Sequence, residues 1–458
     1  AAEEIGNYLG NLLKSADKPT RVLTLTESIN GAFKEEFPAV KPLDRSGSAG
    51  YPLVQKNPGR PNKGSYLEQR KEGGPWYFKK DRQAESVVHR VNHIVQRARQ
   101  GITCDEPFIA YSKDEPVKMK KITTPKTRVF FGGSFAYFLA YRRYFSAALW
   151  RIQEVMEEVP IKIGMNVRGV HWTRFIMSML KVGPEGFASD MANWDGCVPI
   201  EFLRAACKVL NIAYRLSDPN WKEEDDVARE AIHRNIEGAL IIIENDVVRL
   251  DHAMTSGFPG TAMENSIINW ILFYCVFRRI MIKAKKNCSF TKFLQLLALG
   301  VFGDDNVVAV SPLISQFFHF NTFKVEAKKF GFEVTDAAKA GGEQPNLQPV
   351  VELEFLKRST RRQGNYFYAL LDKSSINKML CWHKSSPSYI FEGEWRQFND
   401  APELVAILRE VAYEHTPYGE QAYDDFVEKA MQWCQTHKLL MSFPSYVEAF
   451  CASGYSGH

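Results

Sequence analysis

Two adjacent acids, Asp304 and Asp305, stand in Gly303-Asp304-Asp305-Asn306, between the apolar runs 296–302 and 307–310. The pattern predicts a strand, a tight turn and a second strand, with both carboxylates on the turn. Neighbouring side chains of a regular strand face opposite ways. At a turn they can converge, and converging carboxylates repel unless protonated or bridged by cations. Mg²⁺ takes one or two carboxylates and completes its shell with water and phosphate oxygens. The acids therefore point to metal-assisted phosphoryl chemistry. For this motif taken alone, a solvated hairpin is the plainer alternative.

A second pair lies in Gly186-Phe187-Ala188-Ser189-Asp190-Met191-Ala192-Asn193-Trp194-Asp195. An odd offset puts Asp190 and Asp195 on opposite faces of a straight strand. They serve one site only if the chain turns after Asp190, which Ala192-Asn193-Trp194 permits. Asp190 would then be a metal ligand at a strand end, and Asp195 would face another group nearby. A surface strand ending in an Asx-type turn is the alternative.

The loop Thr255-Ser256-Gly257-Phe258-Pro259-Gly260-Thr261 runs into a helix. Thr261-Ala262-Met263-Glu264 has capping-box spacing, with Thr261 as N-cap and Glu264 reaching back. Thr261, Asn265 and Asn269 share one helix face, beside the apolar stripe Ile268, Leu272 and Cys275. A small-residue loop before a helix N-terminus suits an anion, although alone it reads as a well-capped helix. Upstream, residues 111–128 carry Lys113, Lys118, Lys120, Lys121, Lys126 and Arg128. Pro125 and the threonines fit a strand or loop. Basic side chains on an extended segment suit a polyphosphate or an RNA backbone, while most charge runs are solvated loops.

These segments need a scaffold. A chain of 458 residues exceeds one ordinary core, so two or three subdomains are expected. Hydrophobic residues at 45% and charged residues at 24% match a globular protein without a disorder signature. A net charge of +5 permits nucleic-acid binding without establishing it. Eight cysteines with no Cys-x-x-Cys pair argue against a zinc ribbon or disulfide scaffold and fit a reducing compartment. His89 and His93 have helical i, i+4 spacing, but Arg90 stands where a zinc-protease pattern needs Glu, so they read as ordinary helix residues. The apolar stretch 267–282 is broken by Asn269, Arg278 and Arg279, and the first residues lack a signal-peptide core, so neither a membrane span nor a leader is expected. Residues 41–75 read as an extended loop region, 131–160 as an aromatic-rich helical stretch, and 222–250 as an acidic helix followed by the apolar run 239–244. Beyond about residue 360 the pattern is mostly helical, with Trp382, Trp395 and Trp433 spread through a separate subdomain.

In this order the segments resemble the RNA-dependent RNA polymerases of picornavirus-like positive-strand RNA viruses. Ser48-Ala49-Gly50-Tyr51-Pro52 resembles that family's motif G, and Lys113-Asp114-Glu115 through Lys126-Thr127-Arg128 resembles motif F. Asp190 to Asp195 resembles motif A, Ser256-Gly257 through Asn265 motif B, and Gly303-Asp304-Asp305 motif C. Thr335-Asp336-Ala337-Ala338-Lys339 resembles motif D, and Phe355-Leu356-Lys357-Arg358 motif E. Phe302 replaces the Tyr that commonly opens motif C, and Val117 stands where many relatives carry an Arg, with Lys118 beside it. Ala1-Ala2 replaces the usual mature N-terminal Gly.

The resemblance implies an α+β closed right hand with an antiparallel palm sheet. Fingers would span residues 1–150 with an insertion at 201–250, the palm 151–200 and 251–360, and the thumb 361–458. Asp190, Asp304 and Asp305 would hold two Mg²⁺ ions, with Mn²⁺ able to substitute, and Lys339 would protonate the leaving pyrophosphate. Asp195, Ser256, Thr261 and Asn265 would sense the ribose 2′-hydroxyl. Lys113, Lys121 and Arg128 would line the nucleotide path. Ser48, Gly50, Tyr51 and Lys126 would guide template RNA, and Lys357 and Arg358 would grip the primer strand. Implied partners are template and primer RNA, NTPs, a small viral protein primer and other viral replication proteins, in the host cytoplasm at membrane replication complexes. A reverse transcriptase shares the acids but needs a bulky gate where Asp195 and Asn265 are polar. A non-catalytic RNA-binding protein has no need of three placed acids.

Overall fold

The computed structural model describes residues 1–14, 20–35, 39–113, 128–250, 252–336, 345–381 and 402–455. Val117, Lys118, Lys120, Lys121, Lys126, Lys339, Trp382 and Trp395 lie outside them. In chain order the principal elements begin with α1 (Ala2–Leu13), β1 (Leu67–Gln69), β2 (Trp76–Phe78), α2 (Arg82–Arg99), β3 (Phe108–Ser112) and β4 (Val129–Gly132). Next come α3 (Phe135–Glu154), α4 (Val170–Val182), β5 (Glu185–Met191), α5 (Ile200–Ser217), α6 (Glu223–Glu237), β6 (Leu240–Ile243) and β7 (Asp246–Arg249). They continue through α7 (Thr261–Lys283), β8 (Leu297–Phe302), β9 (Asp305–Val310), α8 (Phe320–Lys328), β10 (Val334–Asp336) and β11 (Gln348–Pro349). The hairpin β12 (Arg358–Gln363) and β13 (Tyr366–Leu371) precedes α9 (Pro402–His415) and α10 (Glu420–Thr436).

The apolar runs around the acidic turn pair with each other and with the run that ends at Asp190. The order is β10-β5-β9-β8, with β11 also on β5, and every pair is antiparallel. Alternation along each strand gives this sheet two coverings. Phe187, Val308 and Val310 enter the main core with residues of α7 and α8, while Ala188, Val307 and Ala309 pack with Trp172, Phe175 and Ile176 of α4. Burial on both faces explains why β8 and β9 read as nearly continuous apolar runs. A second sheet, β4-β3-β6-β7, has β3 and β6 parallel and its other pairs antiparallel.

Helix α7 crosses the core and is apolar almost all round, as such a position requires. Ile267, Trp270, Phe273 and Phe277 are fully buried, and Phe273 stacks on Phe323 of α8 with ring centroids 4.3 Å apart. Asn265, Ser266 and Asn269 are buried in the same helix. Buried polar groups need partners, so their neighbours matter for the site.

The loop expected over residues 41–75 is corrected. Ala49, Tyr66 and Leu67 belong to the main core, and Lys63 is buried with its Nζ 4.3 Å from the Phe138 ring centre. Their burial comes from distant helices, which local periodicity does not register. Helix α3 fills most of the aromatic stretch, and α6 followed by β6 matches the reading of 222–250. Among the described residues beyond 360, helices dominate only once the β12–β13 hairpin has ended. His89 and His93 lie on α2, and all eight cysteines are free. Among the described residues no helix is long and apolar enough to cross a membrane.

Candidate active site

Phe302 pairs with Asp305, leaving Gly303 and Asp304 as a two-residue connection between β8 and β9. Gly303 has φ 65°. Tight hairpins need such a left-handed residue, and glycine adopts it without strain. The buried polar groups of α7 hold this turn from behind. Ser266 Oγ accepts from the Gly303 amide at 2.8 Å, and Asn269 Nδ2 donates to the Gly303 and Asp304 carbonyls, each at 3.2 Å. Asn306 Nδ2 donates to the Asp304 carbonyl at 3.1 Å, and its Oδ1 accepts from Ser189 Oγ of β5 at 2.6 Å. Ser266, Asn306 and Ser189 were missed as supporting residues in the sequence. Their one signal is that polar side chains interrupt otherwise apolar core elements.

The β5–β9 register sets Ser189 opposite Asn306. The β5–β9 ladder ends at that pair, so Asp190, the next residue of β5, lies beside Asp305 at the start of β9. On its other side Asp190 pairs with Thr335 of β10. The chain then turns at Asn193, φ 53°, into the short helix Trp194–Cys197, bringing Asp195 past the strand end. The Asp195 carbonyl accepts from the Met254 amide at 2.7 Å, which ties this turn to the loop before α7. Asp195 opens to solvent, yet the surrounding cleft strips part of its hydration and raises its pKa, with the Asp304 charge adding to the effect. Arg128, a hydrogen bond from Asn265, and Lys113 oppose that rise. Lys113 and Arg128 therefore stand on the Asp195 side of the site, at the ends of β3 and β4, where the Lys113 amide donates to the Arg128 carbonyl at 2.8 Å.

The loop before α7 is wedged. Gly257 has φ 98°, and a Cβ there would lie 1.7 Å from the Phe131 carbonyl of β4. Gly257→Ala is expected to cost about 1–3 kcal/mol from backbone strain, with a further loss of activity as the loop shifts. Chemical denaturation beside an activity assay checks this, and a wild-type midpoint with full activity would refute the wedge. The predicted capping box is corrected. Gly260 occupies the N-cap position, and Thr261, half-buried, donates to the Phe258 carbonyl at 2.9 Å. Glu264 does not reach back, because Tyr141 and His233 engage it inside the core. Ser256 is half-buried beside Gly257.

His233 lies between Glu237 and Glu264, at 3.0 and 3.1 Å. Burial opposes its charge, but the two carboxylates prevail and raise it to about 9 from an ordinary 6.5. A raised histidine stabilises fully below its unfolded pKa and loses that contribution as pH climbs through the folded one. The stability gap between the wild type and His233→Gln should thus hold up to about pH 6.5 and shrink through pH 9. Denaturation midpoints across pH 6–10 test it, and a gap that widens toward alkaline pH would be the wrong sign.

Phe355 and Arg358 bridge across Leu356 and Lys357, whose φ values are 56° and 57°. Two non-glycine residues in the left-handed region store strain, and the Asp305 carboxylate holds the turn by accepting the Leu356 amide at 2.8 Å. Burial pushes Asp305 up to about 7 despite that hydrogen bond, and Asp304 and Glu354 push the same way. Lys357 is exposed at the tip. Arg358 is not. It is buried with both terminal guanidinium nitrogens, Nη1 and Nη2, on the Glu414 carboxylate, each at 2.8 Å, so its expected place on the primer strand is corrected to a core ion pair. Ser48 and Tyr51 are half-buried and Gly50 is buried, and Tyr51 lines a 710 Å³ cleft with Lys56, Arg82 and Arg90.

Among the described residues no three His, Cys, Asp or Glu side chains form a ready-made metal cage. The donors still fit Mg²⁺. Asp304 is exposed at the turn and Asp190 lies on the strand beside that hairpin, and two carboxylates suffice when water and phosphate fill the remaining positions. The Asp304 charge raises both Asp195 and Asp305, a crowding of acids that a divalent cation relieves.

A family model described as viral RNA-dependent RNA polymerase matches residues 18–435. The genome polyprotein of Rice tungro spherical virus (strain Vt6) is 25% identical over 445 residues, covering 93% of this chain and 12% of that protein. The RNA1 polyprotein of Grapevine fanleaf virus is 28% identical over 368 residues, covering 80% and 15%. The replicase polyprotein of Acute bee paralysis virus (strain Rothamsted) is 25% identical over 374 residues, covering 80% and 19%. The chain thus spans under a fifth of the length of these relatives. In fold it is similar to the Sicinivirus 3Dpol RNA dependent RNA polymerase, with a TM-score of 0.74 at 18% identity over 99% of this chain and 84% of that one.

Proposed function

The chain belongs to the viral RNA-dependent RNA polymerase family, as an RNA-directed RNA polymerase of the kind that replicates positive-strand viral genomes, and from that premise we propose how its residues divide the work. The observation that carries the proposal is the β5–β9 register, which sets Asp190 beside the turn holding Asp304. Asp190 and Asp304 would hold two divalent cations. When bound, these would supply Lewis-acid activation of a 3′-hydroxyl and charge neutralisation at the triphosphate. Asp305 assists by fixing the Leu356-Lys357 turn to the same hairpin. Arg128 and Lys113 hold the triphosphate as it arrives, together with Lys121. Lys339 protonates the leaving pyrophosphate. Ser48, Gly50, Tyr51 and Lys126 guide the template, and Lys357 meets the primer strand.

Asp195, Ser256, Thr261 and Asn265 recognise the ribose. Asn265 Oδ1 is buried without a partner among the described residues, and an acceptor in that state favours a ligand that brings a hydroxyl donor. A site built to bind a hydroxyl rejects the analogue lacking it. Asn265→Ala is therefore expected to narrow the NTP-over-dNTP preference by roughly tenfold, the worth of one buried hydrogen bond. Extension of a primed RNA template, with NTPs or dNTPs and with or without Mg²⁺, tests the whole reading. RNA synthesis requiring Mg²⁺ supports it. Preferred dNTP incorporation would make the chain a reverse transcriptase, and metal-independent RNA binding without synthesis would make it a binding protein.

In this reading the sheet around β5, β8 and β9 is the palm, spanning 151–200 and 251–360. Residues 1–150 and 201–250 form the fingers and 361–458 the thumb of a closed right hand. A small viral protein primer, other replication proteins and the cytoplasmic membranes of the host cell complete the setting.

A further inference from the structure

We propose that Tyr141, His233 and Glu264 are positioning residues for sugar selection, holding the first turn of α7 at the rotation that presents Asn265 to the ribose. This rests on Asn265 being a ribose contact. Four helices meet at the cluster. Glu264 of α7 accepts from Tyr141 Oη of α3 and pairs with His233 Nε2 of α6 at 3.1 Å. His233 Nδ1 meets Glu237 at 3.0 Å, and Glu237 pairs with Arg204 Nε of α5 at 2.8 Å. Tyr141, His233 and Glu264 have no exposed surface, so none of them can touch substrate.

Their leverage comes from position. Glu264 immediately precedes Asn265, and successive residues of an α-helix are turned by about 100°. Anchoring Glu264 toward α3 and α6 therefore fixes where Asn265 points, which is toward Asp195, to which its side chain is hydrogen-bonded. The same anchor governs the preceding loop. A Cβ on Gly260 would stand 1.9 Å from Tyr141 Oη, and Phe258 packs edge-on against the Tyr141 ring at 5.0 Å. An apolar trio would fill the space as well, and replacing buried ion pairs by apolar groups is often neutral or stabilising. Hydrogen bonds add direction to proximity, and direction is what the orientation of Asn265 needs.

The test measures kcat/KM for an NTP and its matching dNTP on a primed RNA template, with thermal midpoints alongside. Tyr141→Phe removes one hydroxyl and leaves the ring in place, so it should fold even where Glu264→Ala does not. Both should narrow the NTP preference by roughly threefold to tenfold. Glu264→Gln, which keeps an acceptor for Tyr141, should retain most of it. A lowered midpoint with an unchanged preference in Tyr141→Phe would reduce the cluster to packing and overturn the proposal. Asn265→Ala separates the two layers. If it narrows the preference while Tyr141→Phe does not, only the positioning role fails. If Asn265→Ala leaves the preference intact, the ribose contact fails and the positioning role with it.

Discussion

Asp304→Ala should cut primed RNA synthesis by on the order of a thousandfold while leaving RNA affinity nearly unchanged. The size follows from losing a cation ligand worth several kcal/mol in the transition state, at 1.36 kcal/mol per tenfold in rate. The selectivity follows from where the charge sits. RNA affinity comes from basic side chains on phosphates, whereas Asp304 adds negative charge at an exposed turn whose backbone is fixed independently by Ser266, Asn269 and Asn306. The substitution should therefore leave the fold intact. Single-turnover extension paired with RNA titration at fixed salt reads both quantities. Residual synthesis above about a tenth of the wild-type rate would remove Asp304 from the metal site, since a tenfold loss is only about 1.4 kcal/mol.

Arg358→Ala should cost about 3–5 kcal/mol of stability, because it leaves the buried Glu414 carboxylate without its bidentate partner. Arg168 does not replace it, since its Nε stands 3.8 Å from Glu414 and its Nη1 pairs with Glu410. The pair joins β12 to α9, so its loss should also loosen the turn that carries Lys357. Replacing both partners by apolar residues, Arg358→Met with Glu414→Leu, should recover most of the loss, since no charge is then stranded. Denaturant unfolding of the single and double variants gives the comparison. A single variant within 1 kcal/mol of wild type, with weakened primer binding instead, would return Arg358 to the RNA surface.

The site was legible where the determining contacts are local. The Gly303-Asp304 turn follows from glycine between two apolar runs, and the turn after Asp190 from Asn193, which adopts φ 53°. β9 begins at Asp305 rather than at Val307 because Asp305 pairs with Phe302, which the hydrophobic pattern does not show. The misreadings share one cause. Thr261-x-x-Glu264 satisfies the spacing of a capping box, but His233, far back in the chain, takes the Glu264 carboxylate. Arg358 looks like a surface cation until Glu414, 56 residues on, buries it. The segment around Tyr66 reads as loop because the residues that cover it belong to other elements. Spacing reports partners a few residues away and is silent about those that folding brings from elsewhere.

Crystals of the chain with a primed RNA template, a non-hydrolysable NTP and Mn²⁺ give the most direct test. Anomalous scattering should place metal bonded to both Asp190 and Asp304, with the triphosphate on the Lys113 and Arg128 side. Metal bound elsewhere, with the Asp190 carboxylate turned away from the Asp304 hairpin, would contradict the account.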